Sequence, residues 1–178
     1  MTPLDGCLRS NSDNTGLVFN DYAETPYDRE LMPQRLTCCN KIIAGHCVEI
    51  TARSNPPDWS EDVSYCEAKT RCEALGLQLA SYELQTNTEI QEYALTKSKT
   101  FSGTGSYFWI NTQLGEGGYY RWLPDGQNVT LPVYGGVNPS KKCAVFDASA
   151  KDINPVDCKT LYEELALCIG PNTSLKQC

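Results

Sequence analysis

The chain has one histidine, His46, among its 178 residues. A zinc set that pairs cysteines with two histidines is therefore excluded. No C-x₂-C pair occurs either, so the ordinary spacing of cysteine metal ligands is missing. Basic residues are scarce: 15 Lys and Arg against 22 Asp and Glu give a net charge of −7 and a pI near 4.7. A phosphate-rich partner requires a basic surface, so nucleic acid is excluded. No apolar run approaches the roughly 20 residues of a membrane helix, and no membrane insertion is expected. The opening Met1-Thr2-Pro3-Leu4-Asp5 has neither a basic n-region nor an apolar h-region. It is not a signal peptide, and a mature sequence without its export signal is expected.

Cysteine is present in quantity. Ten cysteines, even in number and irregularly spaced, read as five disulfides formed in an oxidising compartment. Two sequons agree with that, one at Asn128 (with Thr130) and one at Asn172 (with Ser174). The expectation is a secreted, extracellular glycoprotein. A hydrophobic content of 40% is ordinary for a folded protein, and the length suits one domain plus an arm.

The arm is residues 1–37, rich in Asp, Asn, Pro and Ser and without periodicity. Residues 38–178 form the domain. Within it, Cys38 to Ile50 reads as a hairpin turning at Ala44-Gly45. A helix capped by Asp58, with Glu61 three positions on, should run to about Leu75 and stop at Gly76. A second helix is expected over Thr88–Lys97. Short strands follow at 107–112, 119–123, 143–147, 151–154 and 164–169. Gly115-Glu116-Gly117-Gly118 reads as a hairpin turn, because no Lys-Ser/Thr follows to make a phosphate cradle. Residues 124–142 are rich in Pro, Gly and Asn, with little periodicity. Two helices followed by short strands indicate an α+β class.

At these residues the chain resembles the C-type lectin-like domain. Tyr65, Ala68, Cys72, Gly76 and Leu79-Ala80 match the family's first helix and its exit. Trp109-Ile110-Asn111 matches its W-I-G strand, with asparagine for glycine. Trp122-Leu123-Pro124-Asp125-Gly126 matches W-x-D-G with one residue inserted. The match covers roughly 38–170, and its weight lies in the joint order of these positions. It implies the long form of the fold with an N-terminal hairpin, in a divergent, invertebrate-like member: two helices, short antiparallel strands, a long irregular loop region and several disulfides. It further implies bridges Cys72–Cys168 and Cys143–Cys158, and a hairpin bridge from Cys38 or Cys39 to Cys47, with Cys39 the expected partner. Cys7, Cys66, Cys178 and the remaining hairpin cysteine stay open among three pairings. Cys7–Cys66 and Cys38–Cys178 are expected because the two ends of this fold lie close together. Interchain bridging is the alternative.

Sugar-binding members hold Ca²⁺ through an E-P-N or Q-P-D triplet, a later Glu and a W-N-D triplet. The matching positions here read Gly136-Val137-Asn138, Lys141-Lys142 and Ile153-Asn154-Pro155. Calcium needs six to eight oxygens, several of them anionic. Two amides, Asn138 and Asn154, remain, and turn residues beside prolines are the simpler reading of both. Asp147, Asp152 and Asp157 are the acids from which another arrangement would have to be built. The expectation is no bound metal and no cofactor, with Ca²⁺ as the alternative. The candidate ligand-binding residues are Asn138, Asn154, Asp147, Asp152 and Tyr134.

Trp109 and Trp122 are placed in the core by the resemblance, and stacking on a sugar is their alternative role. His46 beside Cys47 suggests a thiol–imidazole pair, but a bridged Cys47 is no nucleophile. The acids Glu61-Asp62 and Glu163-Glu164 read as solvated surface. No base, nucleophile and orienting group are brought together by the pattern, so no catalytic residue is expected. The function expected is a recognition or assembly module. It would bind a protein ligand or copies of itself through the 124–142 loops and the arm, without calcium, with an interchain disulfide as a further route to assembly and a glycan-binding lectin as the alternative.

Overall fold

The computed structural model describes residues 7, 35–52, 64–100, 107–159, 165–170 and 175–178. The expected cap at Asp58 and Glu61, the acids Asp62, Glu163 and Glu164, the sequon at Asn172, and the arm other than Cys7 and 35–37 lie outside the described residues.

The strands are β1 (Lys41–Ile43), β2 (His46–Ala52), β3 (Gln78–Leu79), β4 (Tyr107–Leu114), β5 (Tyr120–Trp122), β6 (Cys143–Asp147), β7 (Asp152–Val156) and β8 (Leu165–Gly170). The helices are α1 (Tyr65–Ala74), α2 (Tyr82–Thr86) and α3 (Thr88–Ser98). Among the described residues three helices stand where two were expected. α2 has five residues, too few for a helical period to register in sequence.

Local chemistry accounts for the boundaries. Ala44 and Gly45 both take positive φ, 50° and 79°, which suits the tight turn between β1 and β2. α1 starts at Tyr65, where the Ser64 side chain accepts from the Glu67 N–H at 3.3 Å. Gly76 ends it with φ +87°. The Leu77 N–H donates to Cys72 O and the Gly76 N–H to Glu73 O, the two bonds of a Schellman cap. Asn87 caps α3 by accepting from the Glu89 and Ile90 N–H groups.

All the strands belong to one sheet ordered β1-β2-β8-β4-β6-β7, with β3 added to β8 and β5 to β4. The named pairs are antiparallel except β4 with β8, which is parallel through Trp109 and Ala166. Strand alternation divides the core into two clusters. Trp109, Cys143, Val145, Ala166 and Cys168 join Tyr65, Ala68 and Cys72 of α1. Phe108, Ile110, Ala144, Phe146, Leu165 and Leu167 join Leu84 of α2 and Ile90 and Ala94 of α3. β8 is buried along its whole length, as a strand covered on both faces must be.

Five disulfides staple this frame: Cys7–Cys66, Cys38–Cys178, Cys39–Cys47, Cys72–Cys168 and Cys143–Cys158. All ten cysteines are paired within the chain. An interchain disulfide therefore has no cysteine left to use, which corrects that alternative. The ends of the domain meet at the first hairpin. Cys39 bridges Gln177, and the Cys178 N–H donates to Cys39 O at 2.8 Å.

Candidate functional site

The long loop leaves the sheet after Trp122, and Asn111 fixes where it does so. The β4–β6 register shifts between Trp109 and Gln113, so Asn111 is released from that ladder. Its N–H donates to Ala80 O at 2.7 Å, and its carbonyl accepts from the Leu123 N–H at 2.9 Å. Its side-chain Oδ1 accepts from the Tyr65 hydroxyl at 2.6 Å, and Nδ2 donates to Leu123 O at 3.2 Å. The Ser81 hydroxyl donates to the same Leu123 carbonyl at 2.6 Å. Asn111 is 6% exposed, and a buried amide must find such partners. Asn111 is thus a tie between α1, β4 and the root of the loop.

Two further anchors hold the loop. Gln85 Oε1, on α2, accepts from Trp122 Nε1 at 3.0 Å and from the Thr130 N–H at 2.5 Å. The Tyr120 hydroxyl donates to Lys141 O at 2.6 Å. Burial pushes the Tyr120 hydroxyl up from its ordinary pKa, against a smaller opposing effect of its hydrogen bond to Asn138. Trp109 and Trp122 are 0% exposed. They are core residues and present no stacking face.

The loop returns along the edge strand. The Ile153 N–H donates to Pro132 O, and the Tyr134 N–H donates to Ile153 O, both at 2.9 Å. Tyr134 is thereby placed beside β7, and an open cleft of about 590 Å³ lies there. Its lining includes Tyr107, Tyr134, Asn138, Lys141, Asp147, Asp152 and Asn154. All five candidate ligand-binding residues line this one cleft. Tyr107 and Lys141 were not among them. Tyr107 begins a strand whose periodicity signals only core, and Lys141 is a cation at a position where the resemblance implies an acid.

The side chains differ in what they have left to offer. Asn138 Oδ1 accepts from the Ser140 N–H and hydroxyl, so it is a turn residue, as expected beside Pro139. Asn154 is no turn residue. It sits in β7 paired with Val145, which corrects that reading. Proline is tolerated at position 155 because β7 is the edge of the sheet. Asp147 Oδ1 accepts from the Ser149 N–H and hydroxyl and from the Ala150 N–H. Asp152 is its register partner on β7. Asp152 Oδ1 is shut from solvent without a hydrogen-bond partner among the described residues. Burial, and then the Asp147 charge, raise the Asp152 carboxyl above the ordinary carboxylate value, against a smaller opposing backbone hydrogen bond.

These residues do not fit calcium. Asn138 and Asp147 each have an oxygen committed to their own turn. Asp157 is not in the lining, and its Oδ1 accepts from the Lys159 N–H. Lys141 stands where a carboxylate would be needed. Among the described residues no three His, Cys, Asp or Glu side chains gather as a metal set. His46 Nδ1 is buried and unpartnered among the described residues, and its neighbour Cys47 is bridged to Cys39. Asn128 of the first sequon is exposed and bridges Arg121. Among the described residues no helix is long and apolar enough to cross a membrane.

No protein-family model matches the chain, and no curated protein matches it significantly. Solved structures do. The Ca²⁺-independent C-type lectin SPL-2 from Saxidomus purpuratus is 19% identical, with TM-score 0.56, over 75% of this chain and 91% of that one. Human lithostathine is 16% identical, with TM-score 0.53, over 84% and 97%. The C-type lectin domain of murine dendritic cell inhibitory receptor 2, solved with an N-glycan, is 18% identical, with TM-score 0.52, over 74% and 94%. At such identities the likeness concerns architecture, and it agrees with the helices, mixed sheet and disulfides described above. The chain has the C-type lectin-like fold, in a divergent, α+β, disulfide-rich form.

Proposed function

We propose that the chain is a secreted, non-enzymatic recognition module. Residues 38–178 form the binding domain and 1–37 an accessory arm. It engages a protein partner, or further copies of itself, through the 124–142 loop and the adjoining cleft, without calcium. One observation carries this reading. The loop is tied down at Asn111, Gln85 and Tyr120 yet ends in an open cleft whose oxygens do not suit a hard cation. Rigid anchoring of an exposed polar surface is the arrangement expected of a binding loop. The likeness to a lectin that is itself Ca²⁺-independent supports a fold that stands without the metal. Disulfides and the exposed sequon at Asn128 support secretion and glycosylation, with Asn172 the second candidate acceptor.

A second reading is a glycan lectin with a rearranged site. Tyr134, 70% exposed beside amide and carboxylate groups, favours it, since sugars bind on aromatic faces flanked by hydrogen-bonding groups. A glycan array run with calcium and with chelator separates the two. The first reading expects no calcium-dependent signal, and monosaccharide binding that needs calcium would sink it.

A further inference from the structure

The five disulfides differ in access. Eight of the ten cysteines are 6% exposed or less, so four bridges lie inside the protein. The fifth does not: Cys178 is exposed and Cys38 half-buried. In thiol–disulfide exchange a thiolate must reach a sulfur, so an exposed bridge exchanges while a buried one waits for the fold to open. This clasp also closes a piece of structure. β1 is an edge of the sheet, and residues 175–178 are joined to it and to its approach. The Cys39 N–H donates to Lys176 O at 2.9 Å, and the Cys178 N–H donates to Cys39 O at 2.8 Å. Gln177 Oε1 accepts from the Ile42 N–H at 3.4 Å. Leu175 packs against the cluster that holds Tyr65 and Trp109. Each such bond contributes little net stability. The disulfide is the strongest tie between the segment and the edge.

We propose that Cys38–Cys178 is a thiol-exchange site, attacked by low-molecular-weight thiols, whose opening releases residues 175–178 from the β1 edge. The thiolate of such a thiol attacks Cys178 Sγ, the exposed sulfur. A new S–S bond forms there, the Cys38–Cys178 bond breaks, and Cys38 leaves as a thiolate that takes up the proton the attacking thiol gave to water. A second thiolate attacks the small molecule's sulfur in this mixed disulfide and displaces Cys178 Sγ, which is protonated in the same way. Two small thiols are oxidised to one disulfide, and one protein disulfide is reduced to two thiols. The four buried bridges stay closed, so the sheet and both core clusters keep their staples. With the segment released, the Ile42 N–H on the β1 edge is open to pairing. The cleft residues take no part in this, so the site does not depend on their reading.

The test exposes the native chain to reduced glutathione without denaturant, traps free thiols at intervals with N-ethylmaleimide, and maps them by peptide mass spectrometry. Cys38 and Cys178 are expected to be labelled at least about tenfold faster than any other cysteine, with the transient glutathione adduct on Cys178. Hydrogen exchange at the Cys39, Ile42 and Cys178 amides should quicken once the clasp opens, while the β8 amides keep their protection. A double variant, Cys38→Ser with Cys178→Ser, should show the same quickened amides with no thiol added. Opening of Cys72–Cys168 or Cys143–Cys158 as fast as the clasp overturns the exchange site. An adduct found only on Cys38 overturns attack at Cys178. Unchanged exchange at Ile42 in the reduced wild-type chain overturns the release of the edge.

Discussion

The Tyr65 hydroxyl donates to Asn111 Oδ1 at 2.6 Å, joining the first turn of α1 to β4 inside the protein. Asn111→Ala leaves that hydroxyl buried without its partner. A loss of about 1–3 kcal/mol is expected in urea unfolding. Tyr65→Phe together with Asn111→Ala should cost less than the sum of the single changes, because both partners are then removed.

Gln85 serves two donors with one oxygen. Gln85→Ala is expected to destabilise by about 1 kcal/mol and to speed hydrogen exchange at the Thr130 amide and the Trp122 indole. Gln85→Glu keeps the acceptor and should retain most of the protection. Unchanged exchange at Thr130 in the alanine variant would show that the loop root is held elsewhere.

The disulfides differ in the span they close. Cys72–Cys168 spans 96 positions and Cys143–Cys158 spans 15. In the chain-entropy model these are worth about 4–5 and about 3 kcal/mol. Replacing the first pair with alanines is expected to lower the denaturation midpoint further than replacing the second. The reverse order would mean that bracing the irregular region matters more than tying α1 to β8.

Acid–base linkage gives a signed expectation for Asp152. Its carboxyl is raised by burial and by Asp147, so the folded state holds that proton more tightly than the unfolded chain. The stabilisation is present at low pH and is lost as pH rises through the raised value. Asp152→Asn should therefore raise Tm near pH 7, with the difference shrinking below about pH 4. A variant less stable at neutral pH would show that the carboxylate is needed by the fold itself.

The framework was largely legible in the sequence, because it is written in local patterns. Gly76 as a helix stop, Ala44-Gly45 and Gly115–Gly118 as turns, and the strand around Trp109 all depend on close neighbours. What escaped depends on distance along the chain. Asn111 draws on Tyr65 and Leu123, 46 and 12 positions away, so it reads in sequence only as a departure from a motif. α2 is too short to show a period, yet it brings Gln85 to the loop. The candidate ligand residues do converge, but Tyr107 and Lys141 join them only through sheet pairing and the return of the loop. Asn154 looked like a turn residue because proline follows, and only its place at the sheet edge makes strand geometry possible there.

The clasp between Cys38 and Cys178 has a mechanical consequence. A pull applied between residue 38 and residue 178 loads a covalent bond and passes around the sheet and both cores. The 124–142 loop then lies off the loaded path.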